Sequence, residues 1–388
     1  LNNLGALLLK TNRPREAVAM LERNLRLARD GVAALQNLAL AQQESGDLEA
    51  ASASLKRLAE LAPADNALYL LREALLFPVV PESTDALLAA REVLSRKLAA
   101  LLARDDLRAD DPLRFPSTYF PLTYHGLPNA DINRAIAQVY AQACPSLTWQ
   151  APQVADRQAP HGRIKVGIVS AFLHDHSVGK VCAGLFEHCD RSRFELVAIR
   201  LQPAPDDAVA RAIDDAAAGV LRLAGRDLHS AREAIAALRP DILFYQDIGM
   251  EPMSYFLAMA RLAPVQVTWF GHPDTTGIAN MDCFLSWKNF ETADSPAHYS
   301  EQLLLSQATG NIACYRRPAG EDRTLTRASF GFAEDDHLYC CAQQAYKLMP
   351  AMDHLFDDVL RRDPRAVIVL FEPLQTYLRE AVENRLLK

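Results

Sequence analysis

Two textures divide the chain. Through the first 65 residues, small and aliphatic positions recur every third or fourth residue, which predicts amphipathic helices with one buried stripe each. From Arg163 onward, short apolar runs alternate with helical stretches, which predicts parallel strands joined by crossover helices. The helical part repeats itself. A shift of 34 positions lays Leu4 on Leu38, Gly5 on Ala39, Ala17 on Ala51, Leu21 on Leu55 and Asn12 on Gly46. Small residues at Gly5/Ala39 and Ala17/Ala51 let paired helices approach closely, and the leucines fill the space left. Gly46-Asp47 reads as a helix stop followed by an N-cap, Pro14 suits a first helical turn, and Pro63 closes the second copy. Such units cannot bury their faces alone, so further repeats are expected ahead of Leu1, which opens inside a helical pattern.

This pattern and period resemble tetratricopeptide repeats, in two full copies, with a generic antiparallel bundle as the alternative. Helical periodicity continues less regularly, predicting helices over 66–77 and 85–104, the second capped by Thr84 or Asp85. The Pro- and aromatic-rich stretch Pro112–Pro128 interrupts them, a helix resumes over 131–143, and Pro145–Pro160 reads as a linker. Strands are predicted at 163–171, 194–201, 241–246, 265–270 and 281–287, with helices from Val178 and near 206–218, 229–238 and 252–262. A second unit of the same kind starts late, with strands at 337–343 and 366–372, a helix from Pro350 between them and another after the second strand. The expected fold class is α + α/β, with boundaries at 1–65, 66–160, 161–333 and 334–388. The last part is expected to be the beginning of a larger lobe.

Composition narrows the function classes. The 388 residues are 50% apolar and 23% charged with a net charge of −7, which suits folded domains and disfavours a nucleic-acid surface or a polybasic membrane anchor. No apolar run is long enough to span a bilayer as a helix. Seven cysteines, scattered and without CxxC spacing, argue against a disulfide framework or a zinc ribbon and fit a reducing cytoplasm. Cys340-Cys341, inside an apolar strand, is expected in the core.

Ligands of doubly wound folds sit at the carboxyl ends of the strands, so those loops hold the candidate chemistry. After the first strand come His174, Asp175, His176 and Ser177, with no GxGxxG to suggest a dinucleotide. His176 at a helix N-terminus stays neutral at pH 7, and it either accepts a proton or hydrogen bond from a hydroxyl or merely caps the helix. A metal at His174 and His176 lacks a third ligand of suitable spacing. Gly271-His272-Pro273-Asp274-Thr275-Thr276-Gly277 is a tight polar loop, read either as a structural turn or as a ligand-facing segment. In the second unit, Lys347 follows a strand and is either a phosphate-neutralising cation or a solvated residue. Asp-x-Asp occurs nowhere, so a magnesium–diphosphate site is not indicated.

The string from Leu238 to Trp287, HYSEQLL at 298–304, VGIVSAFLHDHSVGK and QQAYKLMP together resemble the protein O-linked N-acetylglucosamine transferases. The bacterial tetratricopeptide branch, with its asparagine N-glucosyltransferase relatives, is most similar. The resemblance implies a GT-B enzyme whose two Rossmann-like lobes flank the active site. It further implies inverting transfer from a UDP-sugar, most simply UDP-GlcNAc, to Ser/Thr side chains, with no metal or other cofactor. By the same resemblance, His176 matches the family's active-site histidine and Lys347 the lysine that stabilises the leaving diphosphate. Gln344 matches a donor-binding glutamine. Gly271–Gly277, with His272, Thr275, Thr276 and Gly277, matches the acceptor and sugar side. The repeats would hold the polypeptide substrate. His272 stands where many members have Tyr, and Ile248-Gly249-Met250 stands where many have Gly-His-Thr. The remaining donor-binding residues are expected beyond Lys388, so these residues alone are expected to be inactive. The alternatives are transfer to Asn and a non-catalytic scaffold.

Overall fold

The computed structural model describes residues 1–27, 31–117, 120–155, 162–203, 205, 207–307, 313–314, 320 and 324–387. The helical start comprises α1 (Asn2–Lys10), α2 (Pro14–Leu27), α3 (Val32–Glu44), α4 (Leu48–Leu61), α5 (Asn66–Ala74) and α6 (Thr84–Leu102). Its internal repeat is visible atom by atom. Ala17, Leu21, Ala51 and Leu55 are all buried at equivalent places. A Cβ on Gly5 would lie 2.5 Å from Leu21 Cγ, so only glycine lets α1 and α2 close to this distance. Asn12 and Gly46 both take left-handed backbone, with φ of 56° and 86°, at the same place in each copy. Asp47 then caps α4, its carboxylate accepting from the Ala50 N–H at 3.0 Å. The equivalence fails at Leu4, which is exposed while Leu38 is buried. The cap of α6 also differs from expectation. Ser83, not Thr84 or Asp85, accepts from the Ala86 N–H at 3.1 Å, since a cap must sit one residue outside the helix.

A further helix, α7 (Ala130–Ala143), and a single turn, α8 (Pro152–Ala155), precede the sheet. Within the stretch read as a linker, residues 145–155 are tied to the α/β part rather than free of it. The Ala151 N–H donates to Arg261 O and the Arg261 N–H donates to Trp149 O, both at 2.9 Å. Residues 156–160 of that stretch lie outside the described residues.

The α/β part runs β1 (Ile164–Ser170), α9 (Ser177–His188), β2 (Phe194–Arg200), α10 (Ala208–Ala216), β3 (Gly219–Arg222), α11 (Leu228–Ala237), β4 (Ile242–Tyr245), α12 (Pro252–Ala258), β5 (Val265–Trp269), β6 (Cys283–Trp287) and β7 (Gln302–Ser306). These seven strands form one sheet in the order β3-β2-β1-β4-β5-β6-β7, every pair parallel. The expected strands are present, and β3 and β7 are additional. Both are short edge strands, and the Gly and Arg of β3 and the exposed leucines of β7 blur the apolar run that marks a buried strand. The core around Ile168, Cys182, Phe186, Ala198, Phe244 and Trp269 packs α9 and α10 on the sheet. Strand order reverses between β1 and β4, which places a crevice at their carboxyl ends.

The chain ends in β8 (His337–Cys341), α13 (Asp353–Arg362), β9 (Ala366–Leu370) and α14 (Thr376–Leu386). The two strands pair in parallel. Contrary to expectation, β8 is not buried; Cys340 is exposed and Cys341 half-buried. Two strands with one helix between them leave faces and edges uncovered, so an apolar sequence does not become a core. By its contacts the chain divides into two units. One holds residues 1–97, 124–127 and 318–388, and the other 98–123 and 128–317.

Candidate functional site

In the sheet-bearing unit, His176 is the N-cap of α9. The Val178 N–H donates to its Nδ1 at 3.2 Å, and the ring stacks on Phe172 with centroids 4.4 Å apart. Burial, and then the neighbouring His174 and Lys180, hold its pKa below the usual histidine value, so the ring is neutral at pH 7. His176 thus caps α9. With Nδ1 accepting, the neutral ring carries its proton on Nε2 and presents a donor there. His174 lies beside it with its Nδ1 buried and unpartnered among the described residues. No group of three or more His, Cys, Asp or Glu side chains among the described residues is arranged to hold a metal ion.

The loop after β5 is buried rather than open. Glu301, at the entry to β7, accepts from Thr275 Oγ1 at 2.6 Å, from the Thr276 N–H at 2.8 Å and from the Thr276 hydroxyl. Ser300 Oγ accepts from the Gly277 N–H at 3.1 Å. Both threonine hydroxyls thus hold the turn. Asp274 is a second hub, where Oδ2 accepts from Asn129 at 2.8 Å, Thr123 at 3.1 Å and Asn133 at 3.4 Å.

His272 is buried between these groups. Its Nε2 lies 3.3 Å from Thr123 Oγ1, and because that hydroxyl donates to Asp274, the geometry fits a proton on Nε2. Burial pushes its pKa down to about 4. Gly249, at φ 98°, leaves the space the ring occupies, since a Cβ there would lie 2.9 Å from His272 Cε1. A small cavity of about 30 Å³ adjoins His272, Thr275 and Thr276. Ser117 Oγ and Tyr255 Oη, both buried and unpartnered among the described residues, belong to residues that also line it. Its size and these two hydroxyls suit an ordered water.

Sequence reasoning missed Asp247, two residues past the end of β4. It is fully buried, and its Oδ2 accepts from Ser170 Oγ at 3.0 Å and the Ala171 N–H at 2.8 Å. Oδ1 has no partner among the described residues, and burial pushes the pKa up to about 7. An aspartate just past a buried strand was the available signal. Glu301 was also missed as a functional anchor, although it stands inside HYSEQLL.

In the other unit, Gln344 and Lys347 bracket one 3-10 turn, Ala345–Lys347, after β8. Gln344 is exposed. Lys347 is half-buried, with Nζ 4.7 Å from the centroid of the Tyr124 ring. A cavity of about 350 Å³ in the same unit is lined by Gln43, Phe77, Val79, Tyr377 and Arg385, among others, and by none of the expected site residues. Among the described residues no helix is long and apolar enough to cross a membrane.

Comparison with known proteins adds to this geometry. The profile of glycosyl transferase family 41 matches residues 114–317, just over half of the chain, and a tetratricopeptide-repeat profile matches residues 32–65. The probable UDP-N-acetylglucosamine–peptide N-acetylglucosaminyltransferase SEC of Arabidopsis thaliana is 22% identical over 249 residues, 61% of this chain and 25% of that protein. The probable enzyme of the same description named SPINDLY, from Oryza sativa subsp. japonica, is 29% identical over 176 residues, 43% of this chain and 18% of that protein. The chain therefore spans a quarter or less of these relatives. In fold, a mutant O-GlcNAc transferase of Thermobaculum terrenum superposes with a TM-score of 0.59 at 21% identity, covering 99% of this chain and 71% of that one. That likeness supports the fold of helical repeats followed by a parallel α/β lobe.

Proposed function

The chain belongs to glycosyl transferase family 41, and from that premise we propose that the intact protein moves a sugar from a UDP-sugar to polypeptide side chains. The donor in this reading is UDP-GlcNAc, the acceptor a Ser or Thr hydroxyl, the anomeric centre inverts, and no metal takes part. The observation that carries it is the family match across the loops at the carboxyl ends of β1, β4 and β5, where doubly wound folds take their ligands.

The chemistry makes two demands. The acceptor hydroxyl passes its proton to water or to a phosphate oxygen of the donor as its oxygen bonds to the anomeric carbon, and the bond to the diphosphate breaks with negative charge gathering on the leaving group. Lys347 answers the second demand as a fixed cation, the kind of electrostatic term that dominates such reactions. His176, neutral and capping α9 through Nδ1, offers its Nε2–H to an oxygen of donor or acceptor. The repeats hold the polypeptide, and Gln344 lies one turn from Lys347 on the donor side.

The intact protein, given UDP-GlcNAc with a labelled sugar and a Ser/Thr-rich peptide, is expected to label the peptide. Lys347→Ala is expected to cut kcat by about 100-fold or more, while unchanged turnover would remove the lysine from the mechanism. A peptide-binding scaffold is the second reading, favoured by the internal engagement of the Thr275 and Thr276 hydroxyls. Peptide binding without any transfer would establish it.

A further inference from the structure

Lysines at anion sites are commonly held by a carboxylate, which fixes the ammonium and also offsets its charge. Lys347 is held differently. No ion pair between Lys347 and a carboxylate occurs among the described residues. Its Nζ instead stands over the face of Tyr124 at 4.7 Å, within the range of a cation–π contact. Tyr346 packs against the same ring, centroids 5.5 Å apart and planes 51° to each other. The turn that carries the lysine is anchored from below. Ala345 and Leu348 are buried in a cluster with Val80, Leu378 and Val382, so the backbone is fixed and the remaining freedom lies in the lysine stem. Burial pushes the Tyr124 hydroxyl up to about 12, which keeps the ring neutral across the physiological range.

We propose that Tyr124 is the positioning residue for Lys347, restraining the ammonium with an uncharged aromatic face so that its full positive charge remains for the diphosphate. The inference rests on the reading of Lys347 given above and extends it to a residue far away in sequence. Two consequences distinguish it from simple packing. The phenol oxygen is dispensable, whereas the electron-rich face is not. The contact also acts through the lysine, so removing both residues should cost no more than removing the lysine alone.

The test is UDP binding to the intact protein by calorimetry, with turnover and the nuclear magnetic resonance of the Lys347 ε-methylene as companion readouts. Tyr124→Phe should bind UDP within about 2-fold of wild type and keep the upfield ring-current shift of that methylene. Tyr124→Leu should lose the shift, weaken UDP by about 3- to 10-fold, and have no effect in a Lys347→Ala background. A fluorinated phenylalanine at position 124 keeps the ring's shape while depleting its face of charge. It should weaken UDP as Leu does, and it serves where Tyr124→Leu fails to fold. Should wild type and Lys347→Ala bind UDP equally, or wild type not bind it, the reading of Lys347 falls and this one with it. Where Lys347→Ala loses binding but the Leu and fluorinated variants retain it, the positioning role alone is wrong.

Discussion

Asp247 and Asp274 lie in the loops after neighbouring strands of one sheet, and burial acts on both, yet they are hydrogen-bonded differently. Asp274 accepts from Asn129, Thr123 and Asn133 on one oxygen and from the Thr275 N–H on the other. Asp247 accepts from Ser170 and Ala171 on one oxygen and has no partner for the other among the described residues. Burial raises both, and at Asp247 the pKa reaches about 7. Burial disfavours the charged form of both carboxyls, and each donated hydrogen bond opposes it. Around Asp274 the donors come from α7 and the turn before it, and they make the loop after β5 a rigid support. Around Asp247, Ser170 and Ala171 donate from the end of β1.

The largest expected effect strips the rigid loop of its anchor. Glu301→Ala leaves the Thr276 N–H and two threonine hydroxyls without their acceptor, and should cost about 3–5 kcal/mol in chemical denaturation. A loss below about 1 kcal/mol would mean that Glu301 does not hold the loop. Next comes Asp274→Ala, expected to cost about 2–3 kcal/mol by removing the acceptor that Asn129, Asn133 and Thr123 share. It should also free His272, whose pKa should climb from about 4 toward the ordinary histidine value near 6.5, as a titration of the ring protons would show. A pKa that stayed near 4 would show that packing alone keeps the ring neutral.

The smallest effect carries a pH signature. The folded pKa of Asp247 lies above its unfolded value near 4, so between those pH values the folded chain holds a proton that the unfolded chain releases. Stability from this group therefore falls as pH rises from about 4 to about 7, then levels off. Asp247→Asn should match wild type at pH 4 and exceed it by about 1–3 kcal/mol at pH 8. His272 acts in the opposite sense. Its folded pKa is depressed, so its contribution is present above about 6.5 and is lost as pH falls toward 4. Asp247→Asn should accordingly show a steeper rise in stability between pH 4 and 6.5 than wild type, and parallel curves would contradict both assignments.

Much of the fold was legible. The repeat shift found helix pairs that bury their small residues, with Gly5 against Leu21, and it matched Asn12 with Gly46, which share left-handed backbone. The long apolar runs located β1, β2, β4, β5 and β6. The same patterns misplaced the cap of α6 by one residue, passed over β3 and β7, and put Cys340 in a core. An apolar run records what a segment is able to bury, not what lies against it. The loops at strand ends were also legible as places for chemistry. The roles inside them were not, since the partners of Thr275 and Thr276 stand at Glu301 and those of Asp274 at Thr123, Asn129 and Asn133.

By itself, then, the sequence determined the periodicities, the order of helical and α/β parts, the left-handed stops at Asn12 and Gly46, and the resemblance carried by contiguous strings. These depend on neighbours three or four residues away, or on alternation along a strand. Only the tertiary structure decided that His176 caps α9 through Nδ1, that the Thr275 and Thr276 hydroxyls face Glu301, that Asp247 lacks a donor on one oxygen, and that Lys347 stands over Tyr124. Each of these outcomes turns on where a lone pair, a proton or an aromatic face meets another group in space. For most of them that group lies tens to hundreds of positions away along the chain, and for His176 the backbone fold of the loop brings it into reach. Hydrogen bonds and cation–π contacts act over a few ångströms, and residue order alone does not specify which groups come within that range.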